Sequence, residues 1–150
     1  MSGKTWLTIG GSLSAIAALL HLAVIVGGPA WYRFFGAGEQ MAGMAEQGLA
    51  YPALITFAIA AISAIWAAYA FSGAGLLPRL PLLRTALVMI TAIYLLRGLA
   101  FIPAMAASGT PITPFAVWSS LIVLVYGIAY ALGTWQRWPL LAGPDGEPAP

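Results

Sequence analysis

WLTIGGSLSAIAALLHLAVIVG, residues 6–27, is a run of 22 residues without a formal charge. A helix of about 20 apolar residues crosses the hydrocarbon core of a bilayer, so this run is long enough to span one. A cleaved signal peptide is the competing interpretation, but its apolar region is normally shorter, and no convincing small-x-small cleavage site precedes Trp31. The sequence therefore predicts a first membrane span that is retained.

The composition of the whole chain also indicates a membrane protein. Of its 150 residues, 61% are hydrophobic and 7% are charged, whereas soluble domains contain about 25% charged residues. The formal net charge is only +2, and the basic residues do not cluster along the chain, so nothing indicates nucleic-acid binding. Cysteine is absent, which excludes disulfides, thiolate nucleophiles and sulfur ligands for a metal.

Three more apolar runs follow the first, at residues 53–72, 82–102 and 115–135. Backbone polar groups must be paired inside a bilayer, so each run is predicted to be a helix. Short connections make neighbouring helices antiparallel, which predicts an all-α, four-helix transmembrane bundle over residues 1–138. The Pro- and Gly-rich residues 139–150 are predicted to be a disordered cytoplasmic tail.

The basic residues near the ends of the spans predict the orientation. Lys4, Arg79, Arg84 and Arg137 lie on one side of this topology, and Arg33 lies alone on the other. By the positive-inside rule both termini are cytoplasmic, and the connections after the first and third spans lie outside. The favoured location is a bacterial inner membrane.

Residues 27–51 form the only long segment that is neither an apolar span nor a tail. The segment contains Arg33, Glu39 and Glu46. On a helical wheel of residues 39–47, both glutamates face one side and the methionines face the other. This pattern predicts a short amphipathic helix over the outer end of the bundle. Alternatively, the two glutamates are simply solvated residues of a loop.

Arg97 is a charge inside the third predicted span, near its outer end. A guanidinium at midspan costs about 2.5–3.5 kcal/mol on insertion scales, and such a residue usually faces the bundle interior or a water-filled cavity. Tyr94 precedes it by three residues on the same helical face. The competing interpretation is that Arg97 snorkels outward and only anchors the span.

His21, the only histidine, lies at a similar predicted depth in the first span. It is either a core residue bonded to a neighbouring helix or a polar group of a site, able to carry a proton. Matching the depths of polar residues predicts one outward-opening pocket, with Trp118 as an apolar wall. The predicted ligand-binding residues are His21, Arg33, Glu39, Glu46, Tyr94, Arg97 and Trp118.

The favoured function is binding, related to transport, of an anionic or amphiphilic small molecule such as a lipid headgroup or a quinone-like compound. The planar fork of Arg97 suits a carboxylate or phosphate, and Glu39 or Glu46 is expected to pair with it when the pocket is empty. One alternative is a structural or partner-binding subunit without a ligand. A second is a small membrane enzyme using His21, Glu39 and Glu46. No catalytic motif or metal site is predicted, and the sequence leaves the cofactor undetermined.

Overall fold

The chain, in a computed structural model that describes residues 1–142, is helical and has no strand in that range. Its four long helices are α1 (Gly3–Phe34), α3 (Tyr51–Gly73), α4 (Leu83–Ala107) and α5 (Pro114–Gln136), and two short ones are α2 (Glu39–Glu46) and α6 (Trp138–Leu141). Each long helix is apolar and long enough to cross a membrane. The predicted all-α four-helix bundle is confirmed, and the four helices fit a small integral membrane protein.

The main core of the bundle includes Leu7, Leu87 and Tyr130, but many other buried positions carry small side chains, and many large apolar side chains are exposed. Ala60 and Ala67 are buried, whereas Ile62 and Leu96 are exposed. Such a surface suits lipid, which is as apolar as leucine, so the helices associate through close approach and polar contacts rather than through hydrophobic burial. A Cβ added at Gly98 would lie 2.9 Å from the Cα of Leu124, which shows how closely α4 and α5 approach. The main neighbours of α1 are α3 and α5, and the main neighbour of α4 is α5.

A kink at Gly28 divides α1. Gly28 has φ 66° and ψ −151°, a conformation that side chains with a Cβ rarely adopt. Pro29 follows and begins the next helical turn, where its missing N–H costs little. The turn after the kink carries Tyr32, which is buried together with Val24 and Ala42.

The predicted short helix between the first two spans is confirmed as α2. It starts after Gly38, whose φ of 92° and ψ of 161° fall in a region that is essentially restricted to glycine. The helix packs on α1 and α3. Ala42 is its buried residue, while Glu39 and Glu46 are exposed, as the helical wheel predicts.

Two boundaries differ from the sequence-based prediction. Helix α4 continues through Pro103 to Ala107, so the third span is longer than residues 82–102. At the C-terminus, ordered structure continues three residues into the segment that the sequence predicts to be a disordered tail, because Leu141 of α6 is buried in the main core. Residues 143–150, the rest of the predicted tail, lie outside the described residues.

Candidate functional site

The antiparallel helices give the bundle two distinct ends. We call one the α2 end, which carries α2 and the connection between α4 and α5. We call the other the basic end, which carries the start of α1, the connection between α3 and α4, and α6. Tyr94 and Arg97 lie on α4 between the two ends, and His21 lies on α1.

At the α2 end, Arg33 holds both glutamates of α2. Its Nε and Nη2 donate to the two carboxylate oxygens of Glu39 at 2.9 and 2.6 Å, and its Nη1 donates to Glu46 at 2.8 Å. These hydrogen bonds hold the pKa of the Glu39 carboxyl below its ordinary value of 4.5. The expected pairing of Glu39 or Glu46 with Arg97 is therefore corrected: both carboxylates pair with Arg33, because all three residues belong to the segment that folds back over the end of α1.

Arg97 points into the interface between α4 and α5. Its Nη1 donates to Ser120 Oγ at 3.1 Å, and its Nη2 donates to Ser119 Oγ at 3.3 Å. The carbon of its guanidinium lies 3.7 Å from the centre of the Phe101 ring. Because Ser120 is buried, the guanidinium is not simply snorkelling toward the membrane surface. Arg97 also lies ten residues before the end of α4, about 15 Å at the helical rise.

The neighbours of the Arg97 guanidinium are neutral. Within residues 1–142 the ion pairs are those of Arg33, and no carboxylate lies within 4.0 Å of Arg97. Ser119 uses its own proton to donate to the carbonyl of Ala116 at 3.1 Å, so it only accepts from Arg97. Ser120 donates to no acceptor within the described residues, which leaves a buried O–H free beside the cation. The site therefore offers a positive charge and an unused donor.

Tyr94 belongs to a buried chain of hydroxyls that links all four spans. Ser14 Oγ lies 2.9 Å from the hydroxyl oxygens of both Tyr94 and Tyr130, and the Tyr130 hydroxyl donates to the carbonyl of Trp66 at 2.9 Å. Each hydroxyl carries one proton. Since Tyr130 uses its proton on the carbonyl, Ser14 must donate to Tyr130 and Tyr94 must donate to Ser14.

Sequence reasoning did not find this hydroxyl chain, although it singled out Tyr94. Three aromatic rings surround Tyr94, with centroids 4.8 Å away for Trp66 and 5.4 Å away for both Tyr126 and Tyr130. The available signal was the presence of Ser14 on the small-residue face of α1, together with tyrosines inside apolar spans. The role of Tyr94 that the structure shows is interhelical, because its hydroxyl proton is already committed to Ser14.

The structure does not connect His21 or Trp118 to Arg97 by a hydrogen bond. His21 Nδ1 lies 2.7 Å from the carbonyl oxygen of Ala17. A carbonyl can only accept, so Nδ1 carries a proton and Nε2 is the nitrogen left for another partner. The side chain of Trp118 is 66% exposed and faces outward, whereas the sequence predicts that it forms a pocket wall.

The residues of the predicted site therefore fall into separate groups. Arg33, Glu39 and Glu46 form one cluster, while Arg97 forms another with Ser119 and Ser120, which the predicted topology places at a similar depth but which are not among the predicted ligand-binding residues. Within residues 1–142, no group of three or more His, Cys, Asp and Glu side chains could hold a metal ion. No protein-family model matches this chain, and no curated protein or solved structure gives a significant match to it.

Proposed function

We propose that this membrane protein binds the anionic group of an amphiphilic small molecule at Arg97. The observation that carries the proposal is the guanidinium inside a span, which among the described residues is held by neutral groups alone. A charge at such a depth is costly, and membrane proteins usually pair it or expose it to a polar cavity. An anionic ligand would supply the missing pair.

The chemistry of the site suits a carboxylate or phosphate. An arginine has five N–H donors in a planar fork, of which two are used by the serines here. The free proton of Ser120 provides a further donor to an anion. The apolar remainder of the ligand would lie along the exposed lipid-facing surface of α4 and α5, where Leu96 and Trp118 are located. His21, through Nε2, is proposed as a polar contact from α1.

The cluster of Arg33, Glu39 and Glu46 is proposed to act as a cover rather than as a ligand contact. It secures α2 against α1 and α3 at the end of the bundle nearer to the last turns of α4. On the positive-inside rule we propose that this end faces away from the cytoplasm, so that the ligand would enter from the outer leaflet of an inner membrane. Transport is consistent with this arrangement but is not needed for it.

The test compares two probes with hydrocarbon chains of the same length, one ending in a negatively charged carboxylate and the other in a neutral hydroxyl. Oleate and oleyl alcohol are titrated into the protein in phosphatidylcholine nanodiscs, and binding is followed by tryptophan fluorescence. We expect wild type to bind oleate more tightly than oleyl alcohol. Arg97→Leu should bind oleate at least tenfold more weakly than wild type does, whereas its affinity for oleyl alcohol should not change. A charge-assisted hydrogen bond contributes about 1.5–3 kcal/mol, and about 1.4 kcal/mol corresponds to tenfold.

Two further variants serve as controls. Arg97→Lys keeps the positive charge without the planar guanidinium, so its affinity for oleate should lie between those of wild type and Arg97→Leu. Arg33→Leu removes an arginine from the α2 end and should leave the preference for oleate in place. Equal binding of oleate by wild type and Arg97→Leu would refute the proposal.

A structural role without a ligand is the second candidate, and the interhelical hydrogen bonds favour it. Arg97 joins α4 to α5, and the hydroxyl chain joins all four spans. Under this alternative Arg97→Leu binds the probes as wild type does, and its stability in detergent is lower, because the hydrogen bonds that join α4 to Ser119 and Ser120 of α5 are lost. For the enzyme alternative, residues 1–142 offer no supporting geometry, since Glu39 and Glu46 are both paired with Arg33.

A further inference from the structure

The basic end collects four of the six basic residues of the chain. Lys4 starts α1, Arg79 and Arg84 flank the start of α4, and Arg137 follows α5. Both glutamates of the described residues lie at the opposite end, bound to Arg33. Within residues 1–142 the basic end thus carries four positive charges and no carboxylate.

Contacts through α6 and α1 bring these residues together. Arg79 donates to the carbonyls of Leu140 and Leu141. The guanidinium carbon of Arg84 lies 3.6 Å from the centre of the Trp138 ring. Arg79 and Arg84 therefore both contact the short helix α6.

Arg137 lies between the start of α1 and the turn that ends α3. A Cβ added at Gly3 would be 2.8 Å from Arg137 Cγ, and one added at Gly75 would be 3.7 Å from Arg137 Nη2. The two glycines leave the space that this side chain occupies. Its Cγ thereby lies against the start of α1, and its guanidinium lies beside the turn at Gly75.

Two of these arginines have unused donors. The Nε atoms of Arg84 and Arg137 are buried and have no hydrogen-bond partner within residues 1–142. Buried donors are nearly always paired, so each unpaired one calls for an acceptor that is not among these residues. Guanidinium groups pair best with planar or tetrahedral oxyanions.

We propose that the basic end binds the phosphate of an anionic phospholipid in the adjoining leaflet. Basic surfaces at the ends of membrane helices attract anionic headgroups, and this one supplies two buried N–H donors in addition to charge. Trp135 and Trp138 are exposed beside it. Tryptophan is enriched at the membrane–water interface, so these rings mark the level of the headgroups. The site is separate from Arg97, and either proposal can fail without the other.

The chain itself offers a competing occupant. Residues 143–150 include Asp145 and Glu147, and they follow directly after α6. We favour the lipid, because headgroups are always present at this level, whereas two carboxylates cannot neutralise four cations. Removal of residues 143–150 separates the two occupants.

The experiment measures lipid retention by native mass spectrometry. The full chain in mild detergent is titrated with phosphatidylglycerol and, separately, with phosphatidylcholine of the same acyl chains. We expect phosphatidylglycerol to bind at least tenfold more tightly. Arg84→Gln and Arg137→Gln should each reduce this preference at least fivefold, whereas the matched control Arg33→Gln at the α2 end should not change it.

Further arms make every outcome decisive. Lys4→Gln, an exposed position that does not threaten folding, should lower the preference by a smaller factor, and Arg137→Lys should retain part of it. Inorganic phosphate at equal concentration should not displace the lipid, and a chain ending at Ala142 should keep the preference. The proposal is overturned if the full chain shows no preference, whether or not the shortened chain gains one, if phosphate displaces the lipid, or if Arg33→Gln acts as Arg137→Gln does.

Discussion

Single hydroxyl groups decide how the centre of this bundle is held together. Ser14 and Tyr130 are fully buried and Tyr94 nearly so, and their protons run in one direction, from Tyr94 to Ser14 to Tyr130 to the carbonyl of Trp66. In lipid the apolar surfaces of helices gain little from meeting one another, so interhelical hydrogen bonds and close packing carry much of the specificity. Because these hydrogen bonds run in one direction, removing one hydroxyl does not cost the same stability as removing another.

Removing the Ser14 hydroxyl should cost more than removing that of Tyr94. Ser14→Ala leaves the buried O–H of Tyr94 without an acceptor. Tyr94→Phe removes that donor instead, and its only effect on the neighbours is that Ser14 Oγ accepts one hydrogen bond fewer. We expect a loss of about 1–2 kcal/mol in the free energy of unfolding for Ser14→Ala and less than about 1 kcal/mol for Tyr94→Phe. Unfolding by sodium dodecyl sulfate, followed by circular dichroism, measures both.

The double variant is the control for this prediction. Ser14→Ala combined with Tyr94→Phe leaves no unpaired donor on Tyr94, so it should be no less stable than Ser14→Ala alone. If Tyr94→Phe destabilises as much as Ser14→Ala, the proton order derived from the structure is wrong.

The sequence was informative about which residues are unusual and less so about their partners. Arg97 is conspicuous because a charge within an apolar run is rare, but nothing in the sequence indicates that Ser119 and Ser120 receive its hydrogen bonds. Those contacts depend on the rotation of α4 relative to α5. The interior and the lipid-facing side of each span are both apolar, so no alternation of polar and apolar residues fixes that rotation.

Among the elements, α2 is the one whose position depends on a few polar contacts. The helical wheel predicts it, because glutamates and methionines separate onto two faces. The Arg33 pairing could not be predicted, since it depends on how the chain turns back between α1 and α2. Besides the arginine, an apolar cluster links α2 to α1, in which Ala42 packs with Val24 and Tyr32, and Met41 and Ala45 lie against them.

Acidification should release α2 within a defined pH window. The folded-state pKa of Glu39 is lowered by Arg33, so the pair contributes stability above the ordinary carboxyl pKa and loses it as the pH falls through the lowered value. A spin label at Gln40→Cys, in a chain with no other cysteine, should therefore keep the same mobility from pH 7 down to the ordinary carboxyl pKa of 4.5 and become more mobile as the pH falls further.

Substitutions at the two glutamates test the same contact at neutral pH. Glu39 receives hydrogen bonds on both oxygens and Glu46 on one, so Glu39→Gln should raise the mobility of the label more than Glu46→Gln does. Arg33→Gln should raise it at least as much as either. Mobility that stays constant in all three variants would show that apolar contacts alone hold α2.

At the scale of the whole molecule, the four spans could be predicted because lipid imposes a minimum length on each apolar run. Their ends could not be predicted as well. Pro103 suggests the end of a span, yet α4 continues through it to Ala107. Leu141 lies in a Pro- and Gly-rich segment, yet it is buried because Arg79 and Arg84 hold α6 against the bundle.

The distribution of charge between the two ends predicts how the molecule is inserted. The basic end carries Lys4, Arg79, Arg84 and Arg137, while Arg33, Glu39 and Glu46 leave the α2 end with a net charge of −1. Positively charged connections are retained in the cytoplasm, so we expect both termini there. Alkaline phosphatase fused after Gly109, downstream of the first three spans, should be active, and the same enzyme fused after Gly75 should be inactive. Green fluorescent protein at the same positions should give the opposite pattern.

Equal activity at the two positions would contradict the four-span topology, and the reverse pattern would place the basic end outside. The reverse pattern would also move the lipid site proposed for that end to the other leaflet.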